Sequence, residues 1–552
     1  MIVLVLKYLA AAAVAGFLLH RARRRLQLSL AKHRSLAGHS RMAKRVAGLL
    51  PGFSYAEDRF FSVDDAPAEV AGRRRAGFRR LAQQFAERHP QSIAQSMAAG
   101  ERISDIGFTR TYRVPFPFSR YFCDHLKLGG FLASSDGVML TDLDGRRFYD
   151  LAGSYGVNLM GYDFYKTCMA EGSERVKDLG AVLGSFHPCA AWNAERLCRI
   201  SGLDEVSFHM SGTEAVMQAV RLARYHTRRN YIVRFCGAYH GWWDDVQPGP
   251  GNPQPPGKVY TLKEMDEATL RVLRTRHDIA CVLINPIQAL HPNVAAPGDT
   301  SLVDSSRRAK FDRAAYTQWL QQLREVCTAR GIVLIFDEVF LGFRLAPGGA
   351  QEYFGVRADL VTYGKTLGGG FPVGAICGRK HLMRRFREER PADICFARGT
   401  FNSHPHVMGA MQVFLERLET EEIQARYRGM DERWDGRAAR LNERLRAAQV
   451  PVQVANLTSV WTVFYTLPSH YNWMFQFYLR AEGLALSWIG TGRLIFSLNY
   501  TEADFEAVAV RFVQAAQAMQ ADGWWECPGL TNRAIRRGML KEAFWPRSRS
   551  QA

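Results

Sequence analysis

Short apolar runs alternate with longer helical patterns through the middle of this 552-residue chain. A helical pattern over residues 318–330, for example, leads directly into the Val/Ile-rich run 332–336. Parallel neighbouring strands require a crossover, usually a helix, whereas antiparallel neighbours can be joined by a tight turn. The alternation therefore predicts a mostly parallel sheet with crossover helices. A composition that is 47% hydrophobic and 23% charged fits a globular body of this kind.

Lys365 lies in the glycine-rich segment Thr362-Tyr-Gly-Lys-Thr-Leu-Gly-Gly-Gly370, 28 positions after Asp337 at the end of an apolar run. A lysine amine can form a Schiff base with pyridoxal phosphate (PLP), and a buried carboxylate can keep the pyridine nitrogen protonated. A P-loop is excluded because position 359 is Asp where that motif requires Gly. A solvated lysine beside a structural turn fits the same residues.

Two upstream segments have the residue types of an anion site and an aromatic contact. Ser211, Gly212 and Thr213 form a tight turn between an apolar run and an amphipathic helical pattern. Backbone amides at such a helix start can bind phosphate, although an ordinary Ser/Thr cap fits the tripeptide as well. A further apolar run leads into Tyr239 and His240, where an aromatic ring can stack on a planar cofactor or simply pack.

Taken in order, these segments resemble the class III aminotransferases, and most of all their glutamate-1-semialdehyde aminomutase branch. The resemblance covers about residues 105 to 520. It rests on Ser211-Gly-Thr-Glu-Ala, Tyr239-His-Gly, Phe336-Asp-Glu-Val, Gly342-Phe-Arg344, Gly348-Gly-Ala-Gln, Gly364-Lys, Gly368-Gly-Gly-Phe-Pro-Val-Gly374 and Gly399-Thr400.

The resemblance implies PLP as the cofactor and a role for each matching residue. Lys365 would form the Schiff base and carry the proton between substrate and cofactor, and Asp337 would pair with the pyridine nitrogen. The other implied contacts are Val339 and Tyr239 on the two ring faces, His240 beside them, Ser211, Gly212 and Thr213 at the phosphate, Thr400 reaching the phosphate of the neighbouring subunit, and Ser154 and Tyr155 in the substrate wall. A homodimer with shared active sites follows from the position of Thr400.

Arg120 is the candidate for holding a substrate carboxylate. It lies 16 residues before Asp136-Gly137, the interval at which the aminomutase branch places the arginine that binds its substrate. Pro115 and Pro117 predict an extended loop that can reach the site, and a guanidinium fork suits a carboxylate. A solvated arginine fits the same position in a chain with 72 basic residues.

Three stretches depart from the family pattern. Asn285-Pro286 stands where Glu-Pro is common, and His404-Pro405 stands where Asn-Pro is usual. Gln288-Ala-Leu-His291 replaces the Gly-Asn stretch that leads into the gating loop of the aminomutases. Because Lys365 and Asp337 are intact, we interpret these departures as altered substrate preference in an active enzyme.

The resemblance also implies the aspartate aminotransferase type of fold, PLP-dependent fold type I. This is an α/β architecture with a large, mostly parallel sheet domain, a smaller α/β lobe and, here, an N-terminal helical extension. The expected division is an anchor helix (1–20), a basic helical extension (21–104), the first part of the small lobe (105–150), the large PLP-binding domain (151–404), the second part of the small lobe (405–525) and a basic tail (526–552).

The N-terminus holds much of the chain's positive charge. Residues 1–50 contain ten basic residues and no acid, against a net charge of +19 for the whole chain. They follow or interrupt the apolar stretch 2–19, which approaches the ~20 residues of a bilayer span. The positive-inside rule then leaves the body on the cytoplasmic side. We expect a membrane anchor; a soluble helix and a cleaved signal peptide are the alternatives.

The cysteines and the N-terminal arginines indicate which compartment and which binding partners to expect. Ten scattered cysteines, without a Cys-x-x-Cys pair, predict free thiols in a reducing compartment and no metal site. Arginines next to an anchor suit anionic lipid headgroups, and no base-reading module accompanies them, so nucleic acid is not an expected partner.

The sequence thus favours a PLP-dependent aminotransferase that moves an amino group from an amine donor to an aldehyde or ketone by a ping-pong mechanism. An intramolecular aminomutase, which needs no separate donor, is the alternative among enzymes. A catalytically inactive, membrane-tethered scaffold is the alternative from another class, and the intact Lys365 and Asp337 argue against it.

Overall fold

The computed structural model describes residues 2–33, 36–287, 312–486, 492–526 and 529–545. The helices are α1 Ile2–Ala31, α2 Ser40–Leu49, α3 Glu57–Phe60, α4 Ala68–Arg88, α5 Pro90–Gly100, α6 Ser104–Tyr112, α7 Phe116–His125, α8 Tyr162–Arg175, α9 Pro188–Ser201, α10 Gly212–Thr227, α11 Glu267–Thr275, α12 Arg313–Arg330, α13 Gly349–Phe354, α14 Lys380–Met383, α15 Pro405–Leu418, α16 Glu421–Tyr427, α17 Met430–Ala447, α18 Phe475–Ala481, α19 Glu502–Ala521 and α20 Asn532–Phe544. The strands are β1 Leu132–Asp136, β2 Met139–Asp142, β3 Arg147–Asp150, β4 Glu205–His209, β5 Tyr231–Phe235, β6 Val259–Leu262, β7 Ile279–Ile284, β8 Val333–Asp337, β9 Leu360–Gly364, β10 Gly374–Gly378, β11 Val452–Leu457, β12 Val460–Tyr465, β13 Leu484–Ala485 and β14 Arg493–Ile495.

The largest sheet has seven strands in the order β4-β10-β9-β8-β7-β5-β6. Five adjacent strands, β9, β8, β7, β5 and β6, are parallel to one another. Strand β10 runs antiparallel to both β4 and β9. Every residue of β7, β8 and β9 is buried, which is why these strands are continuous apolar runs without alternation. The predicted mostly parallel sheet with crossover helices is confirmed, with α10 between β4 and β5 and α12 between β7 and β8.

Two smaller sheets lie outside the large one. One has the order β1-β2-β3-β13 and the other has the order β11-β12-β14. The short strand β13 pairs in parallel with β3, so residues near 150 and residues near 485 share a sheet. This pairing supports a small lobe assembled from an early and a late part of the chain. The exact division into domains stays a proposal.

The extension before the small lobe is packed into its core. Phe60 and Phe118 are fully buried, and their rings lie 6.4 Å and 5.3 Å from that of Trp473. Arg74 is fully buried and binds both carboxylate oxygens of Asp64 at 2.8 Å. Because a buried charge is costly unless it is paired, this ion pair and the aromatic cluster make the extension part of the folded body, a role that sequence patterns did not indicate.

The apolar part of the first helix, α1, is exposed. Its segment Val5–Ala31 is long and apolar enough to cross a membrane; it contains an 18-residue window with a mean hydropathy of 1.3, and this window is not buried. Within the part of the chain that the structure describes, it is the one helix with these properties. Its far end contacts the body, where the Ala31 carbonyl accepts a hydrogen bond of 2.8 Å from Lys263 N.

The segment before Arg120 is helical, so the expectation of an extended loop is wrong. Pro115 is the N-cap residue of α7, and Pro117 lies within its first two positions. Proline is favoured at a helix start because its fixed φ suits the helix and its missing N–H has no partner there. Arg120 is consequently presented from a helix, and its side chain is exposed.

Candidate active site

Lys365 lies at the end of β9, on a sharp change of chain direction. It begins the short 3₁₀ turn Lys365–Gly368 and has a left-handed φ of 49°, a conformation that is strained for a residue with a side chain. The preceding Gly364 is tightly enclosed, since a Cβ there would lie 3.0 Å from Val373 O and 3.1 Å from Val339 Cγ1. Strain at such a position is typical of functional sites.

Asp337 ends β8, the parallel neighbour of β9. Its side chain is almost fully buried and accepts three hydrogen bonds. His240 Nδ1 lies 2.7 Å from Oδ2, while Thr362 Oγ1 and the Val339 amide lie 3.2 Å and 3.1 Å from Oδ1. A carboxylate has about four lone-pair sites, so one acceptor position remains beside these donors.

His240 orients this carboxylate. Burial lowers the pKa of His240, and its hydrogen bond to Asp337 opposes that effect only in part. A neutral imidazole has one N–H and one unprotonated nitrogen. The geometry assigns the N–H to Nδ1, which donates to Asp337, and this hydrogen bond fixes the direction in which the carboxylate points.

Burial also controls the amine of Lys365. Loss of solvation lowers its pKa, Asp337 raises it, and Arg344 and Arg493 lower it again. The lowering effects dominate, so the amine has a larger neutral fraction at neutral pH than an ordinary lysine has. A neutral amine is the form that acts as a nucleophile.

The start of α10 closes one side of the site. Ser211 is its N-cap residue and accepts a hydrogen bond from Glu214 N. At Gly212 a Cβ would lie 2.5 Å from Val339 Cγ1, and at Gly241 a Cβ would lie 2.6 Å from Thr213 Oγ1. The residues after β4, β5 and β8 therefore meet at this helix start, where exposed amides and the helix dipole favour an anion.

A left-handed turn, Gly153–Gly156, lies on the other side of Lys365. Its four residues have φ values of 54°, 44°, 57° and 93°, and a Cβ at Gly156 would lie 3.5 Å from Lys365 Cδ. Ser154 and Tyr155 hold this conformation although neither is glycine, which costs about 1–3 kcal/mol each. This turn carries the predicted substrate wall next to the lysine.

Asp150 stabilises the start of the turn. Its Oδ1 accepts hydrogen bonds from the amides of Ala152 and Gly153, and its Oδ2 accepts one of 2.6 Å from Tyr162. The Tyr162 hydroxyl also lies 2.9 Å from Ser154 Oγ. Burial raises the pKa of Asp150, while these donors act in the opposite direction.

Most of the residues selected from the sequence lie together around Lys365. They are Asp337, Val339, Tyr239, His240, Ser211, Gly212, Thr213, Ser154 and Tyr155. Thr400 and Arg120 are exposed, and their roles stay predictions. Gln288 to His291 lie outside the described residues. Asn285 is buried just after β7, and its Oδ1 has no hydrogen-bond partner among the described residues.

Three residues that surround Lys365 or act on its amine were not singled out from the sequence. Arg344 belongs to the quoted Gly-Phe-Arg motif, but nothing in that motif shows that its guanidinium reaches the site. Arg493 acts on Lys365 from β14, which is more than a hundred residues away in sequence. Phe340 has its ring centroid 5.7 Å from Lys365 Nζ. No local pattern marks such long-range neighbours.

Comparison with known proteins identifies the family and similar proteins. The model of the family "Aminotransferase class-III" matches residues 124–515. The chain is 32% identical over 368 residues to a glutamate-1-semialdehyde 2,1-aminomutase of Methanococcus maripaludis, which covers 64% of this chain and 77% of that protein.

Solved structures agree with the sequence comparison. An omega-transaminase from Sphaerobacter thermophilus aligns with a TM-score of 0.64 and 26% identity over 79% of this chain and 99% of that one. A transaminase with PLP bound aligns with a TM-score of 0.62 and 26% identity over the same shares. Both the resemblance stated from motifs and the fold expected from it are confirmed.

The hydrogen bond between His240 and Asp337 gives the first testable prediction. Replacing His240 by Phe fills the space but removes the donor, so Asp337 loses its orientation. A hydrogen bond to a charged group contributes about 1.5–3 kcal/mol, and we expect PLP to bind about tenfold or more weakly when apoprotein is titrated and its absorbance followed.

His89→Phe is the matched control, because His89 Nδ1 lies 2.6 Å from Asp142 Oδ2 in a second buried pair that is not part of the site. We expect this variant to lose stability but to keep its PLP affinity. An equal loss of PLP affinity in both variants would contradict the role of His240 in orienting Asp337.

Proposed function

The chain belongs to the class III aminotransferase family, and we propose from that membership that it moves an amino group from an amine donor to an aldehyde or ketone by a ping-pong mechanism. The family establishes a PLP enzyme. The observation that carries the finer proposal is the pairing of Lys365 with Asp337 at the ends of adjacent parallel strands.

The residues present fit PLP. A buried amine with a lowered pKa suits covalent attachment. Asp337 has one acceptor position left for a protonated ring nitrogen. The start of α10 offers amides to a phosphate in a space that Gly212 keeps open, since a Cβ there would collide with Val339.

When bound, PLP supplies an electrophilic aldehyde and a ring that accepts the electron pair released at the substrate carbon. Lys365 then provides the nucleophilic amine and afterwards carries the proton between the substrate carbon and the cofactor carbon. Asp337 keeps the ring nitrogen protonated, and His240 keeps Asp337 in place. Ser154 and Tyr155 border the side on which the substrate enters.

The alternative is an intramolecular aminomutase, which the similarity to an aminomutase supports. The two activities differ in whether the amino group leaves the enzyme between two substrates. We favour transfer between two molecules because Asn285, just after β7, replaces the family's usual glutamate, and its buried Oδ1 lacks a partner within the residues that the structure describes. This difference next to β8 favours a substrate preference distinct from that of the aminomutases.

A half-reaction tests the proposal. Loaded enzyme mixed with an amine donor alone should release one equivalent of keto product and change its cofactor absorbance. The aminated enzyme, freed of donor, should then convert one equivalent of a simple carbonyl acceptor. An aminomutase would convert a single substrate to its isomer and fail this second step.

Two single substitutions test the roles proposed for Lys365 and Asp337. Lys365→Ala should lower both half-reactions by at least about 100-fold, because proton transfer by a positioned group contributes at least that much. Asp337→Asn should retain PLP but lose most activity, because an amide cannot hold the charge of a protonated ring. Unchanged turnover in Lys365→Ala would contradict the proposal.

We also propose that α1 anchors the protein with its body on the cytoplasmic side. Support comes from the exposed apolar helix and from Arg21, Arg23, Arg24 and Arg25, which follow its most apolar part. Full-length protein should remain with membranes after a high-salt wash, and a chain that begins at Arg41 should be soluble.

Replacing the four arginines by Gln is the control for this experiment. It should weaken a purely electrostatic association but leave an inserted helix in place, because surface attraction is screened by salt and an apolar span is not. Release of the full-length protein by salt alone would contradict insertion.

Thr400 supports a homodimer with shared sites. Thr400 is exposed, Phe396 and Phe401 near it in the sequence are exposed as well, and a Cβ at the adjacent Gly399 would lie 3.8 Å from Glu214 Oε2 in the first turn of α10. The segment thus lies beside a helix start that suits phosphate, on a surface with large apolar side chains that a second copy would cover.

Mixed dimers test this arrangement. Lys365→Ala chains have no attachment residue, and Thr400→Ala chains should bind PLP weakly. If Thr400 serves the neighbouring site, dimers formed from one chain of each kind should contain one fully intact site with normal PLP affinity. Binding no tighter than that of Thr400→Ala alone would contradict a shared site, and a monomer in sedimentation would contradict the dimer.

A further inference from the structure

Arg344 is fully buried, and its hydrogen-bond partners in the part of the chain that the structure describes are all uncharged oxygens. Its Nη1 donates to Phe496 O at 2.8 Å and to Ser459 Oγ at 3.1 Å. Its Nη2 donates to Gly156 O at 3.3 Å and to Asn158 O at 3.5 Å. A buried charge is ordinarily paired with an opposite charge. An arginine held only by neutral oxygens therefore calls for a specific reason.

The four acceptors belong to two different parts of the fold. Gly156 and Asn158 are in and just beyond the left-handed turn, whereas Ser459 joins β11 to β12 and Phe496 follows β14. The guanidinium consequently joins the turn Gly153–Gly156 to the sheet β11-β12-β14. A planar fork with five N–H donors can do this, and a lysine amine, a point charge with three donors, cannot reproduce it.

The turn needs such a contact because its backbone is strained. Asp150 holds its beginning through the amides of Ala152 and Gly153. Its end has the Gly156 carbonyl bound to Arg344. At Gly156 a Cβ would also lie 2.3 Å from the Phe340 ring, so the end of the turn is pressed against the residues that surround Lys365.

The guanidinium and the lysine amine both lie against the Phe340 ring, and the charge of Arg344 acts on the amine. Arg344 Cζ is 5.1 Å from the centroid of the Phe340 ring, and Lys365 Nζ is 5.7 Å from it. The charged groups that act on the amine are Asp337, Arg344 and Arg493, and the two arginines oppose the carboxylate. Among the described residues, Arg344 has no carboxylate within ion-pair distance, so no direct ion pair offsets its charge.

We propose that Arg344 is a positioning residue of this site, whose guanidinium holds the end of the turn Gly153–Gly156 against Lys365 and sets a buried positive charge beside the lysine amine. The first effect keeps Tyr155 at the substrate wall. The second favours the neutral, nucleophilic amine. The benefit to catalysis rests on the proposed function, but both physical effects can be measured in apoprotein without it.

The charge effect is tested by labelling Lys365. Full-length apoprotein is treated with trace acetic anhydride at a series of pH values, and acetylation at Lys365 is quantified by peptide mass spectrometry. Arg344→Met should raise the apparent pKa of Lys365 by about one unit, as expected for loss of a nearby like charge. Arg344→Lys, which keeps the charge, should shift it by much less.

The hold on the turn is tested by hydrogen exchange. The amides of Tyr155, Val157 and Asn158 donate to carbonyls within the turn region, so their exchange reports its integrity. Both Arg344→Met and Arg344→Lys should exchange faster there by about tenfold or more, because neither side chain can bind the separate carbonyls. Thus the lysine variant separates the two effects.

Arg437→Met is the matched control. Arg437 is also buried and donates to Glu502 and Tyr500 O, and its guanidinium lies 4.6 Å from the Trp434 ring, outside the site. This variant should lower the melting temperature without changing Lys365 labelling or exchange in the turn.

Several results would overturn the proposal. One is an unchanged labelling profile together with unchanged exchange in Arg344→Met. Another is an equal effect of Arg344→Met and Arg437→Met on both readings, which indicates general destabilisation. If Arg344→Met protein does not accumulate in the cell, the test uses Arg344→Lys alone. Faster amide hydrogen exchange in the turn then supports the proposal, and exchange at the wild-type rate rejects it.

Discussion

The site depends on the parallel pairing of β8 with β9. Parallel strands end at the same edge of a sheet, so this pairing brings Asp337 and the residue after Gly364 together although 28 positions separate Asp337 from Lys365. The neighbouring connections add His240 after β5 and the start of α10 after β4. Ligand sites in open α/β sheets commonly lie at the carboxyl ends of strands for this reason, and here the same edge collects a lysine, a carboxylate and a set of helix amides.

Burial gives these residues their chemistry. Solvation loss lowers the pKa of Lys365 against the opposing attraction of Asp337, and the two arginines act in the same direction as burial. Asp337 remains a hydrogen-bond acceptor because His240, Thr362 and the Val339 amide donate to it. The site thus combines an amine whose pKa is lowered with a carboxylate that three donors orient, whereas a lysine in water would be almost entirely charged.

Local patterns predicted the parts of the fold that local physics determines. Buried parallel strands are continuous apolar runs, and a hydroxyl before a helix is a cap, so β8 and α10 could be predicted from the sequence. The segment before Arg120 was predicted as an extended loop and is helical, because prolines suit a helix start as well as a loop. Arg344 could not be recognised, since its partners Gly156 and Phe496 lie more than 150 residues away in both directions. The packing of the N-terminal extension depends likewise on contacts such as Phe60 with Trp473, which no local pattern shows.

The most direct measurement is to locate the cofactor on the chain. PLP-loaded enzyme is reduced with sodium borohydride, which fixes an imine-linked cofactor to its lysine, and is then digested and analysed by peptide mass spectrometry. The account predicts one equivalent of cofactor on the peptide containing Lys365, and no cofactor on the corresponding peptide of Lys365→Ala protein. Cofactor fixed mainly to another lysine, or none fixed at all, would contradict the central claim.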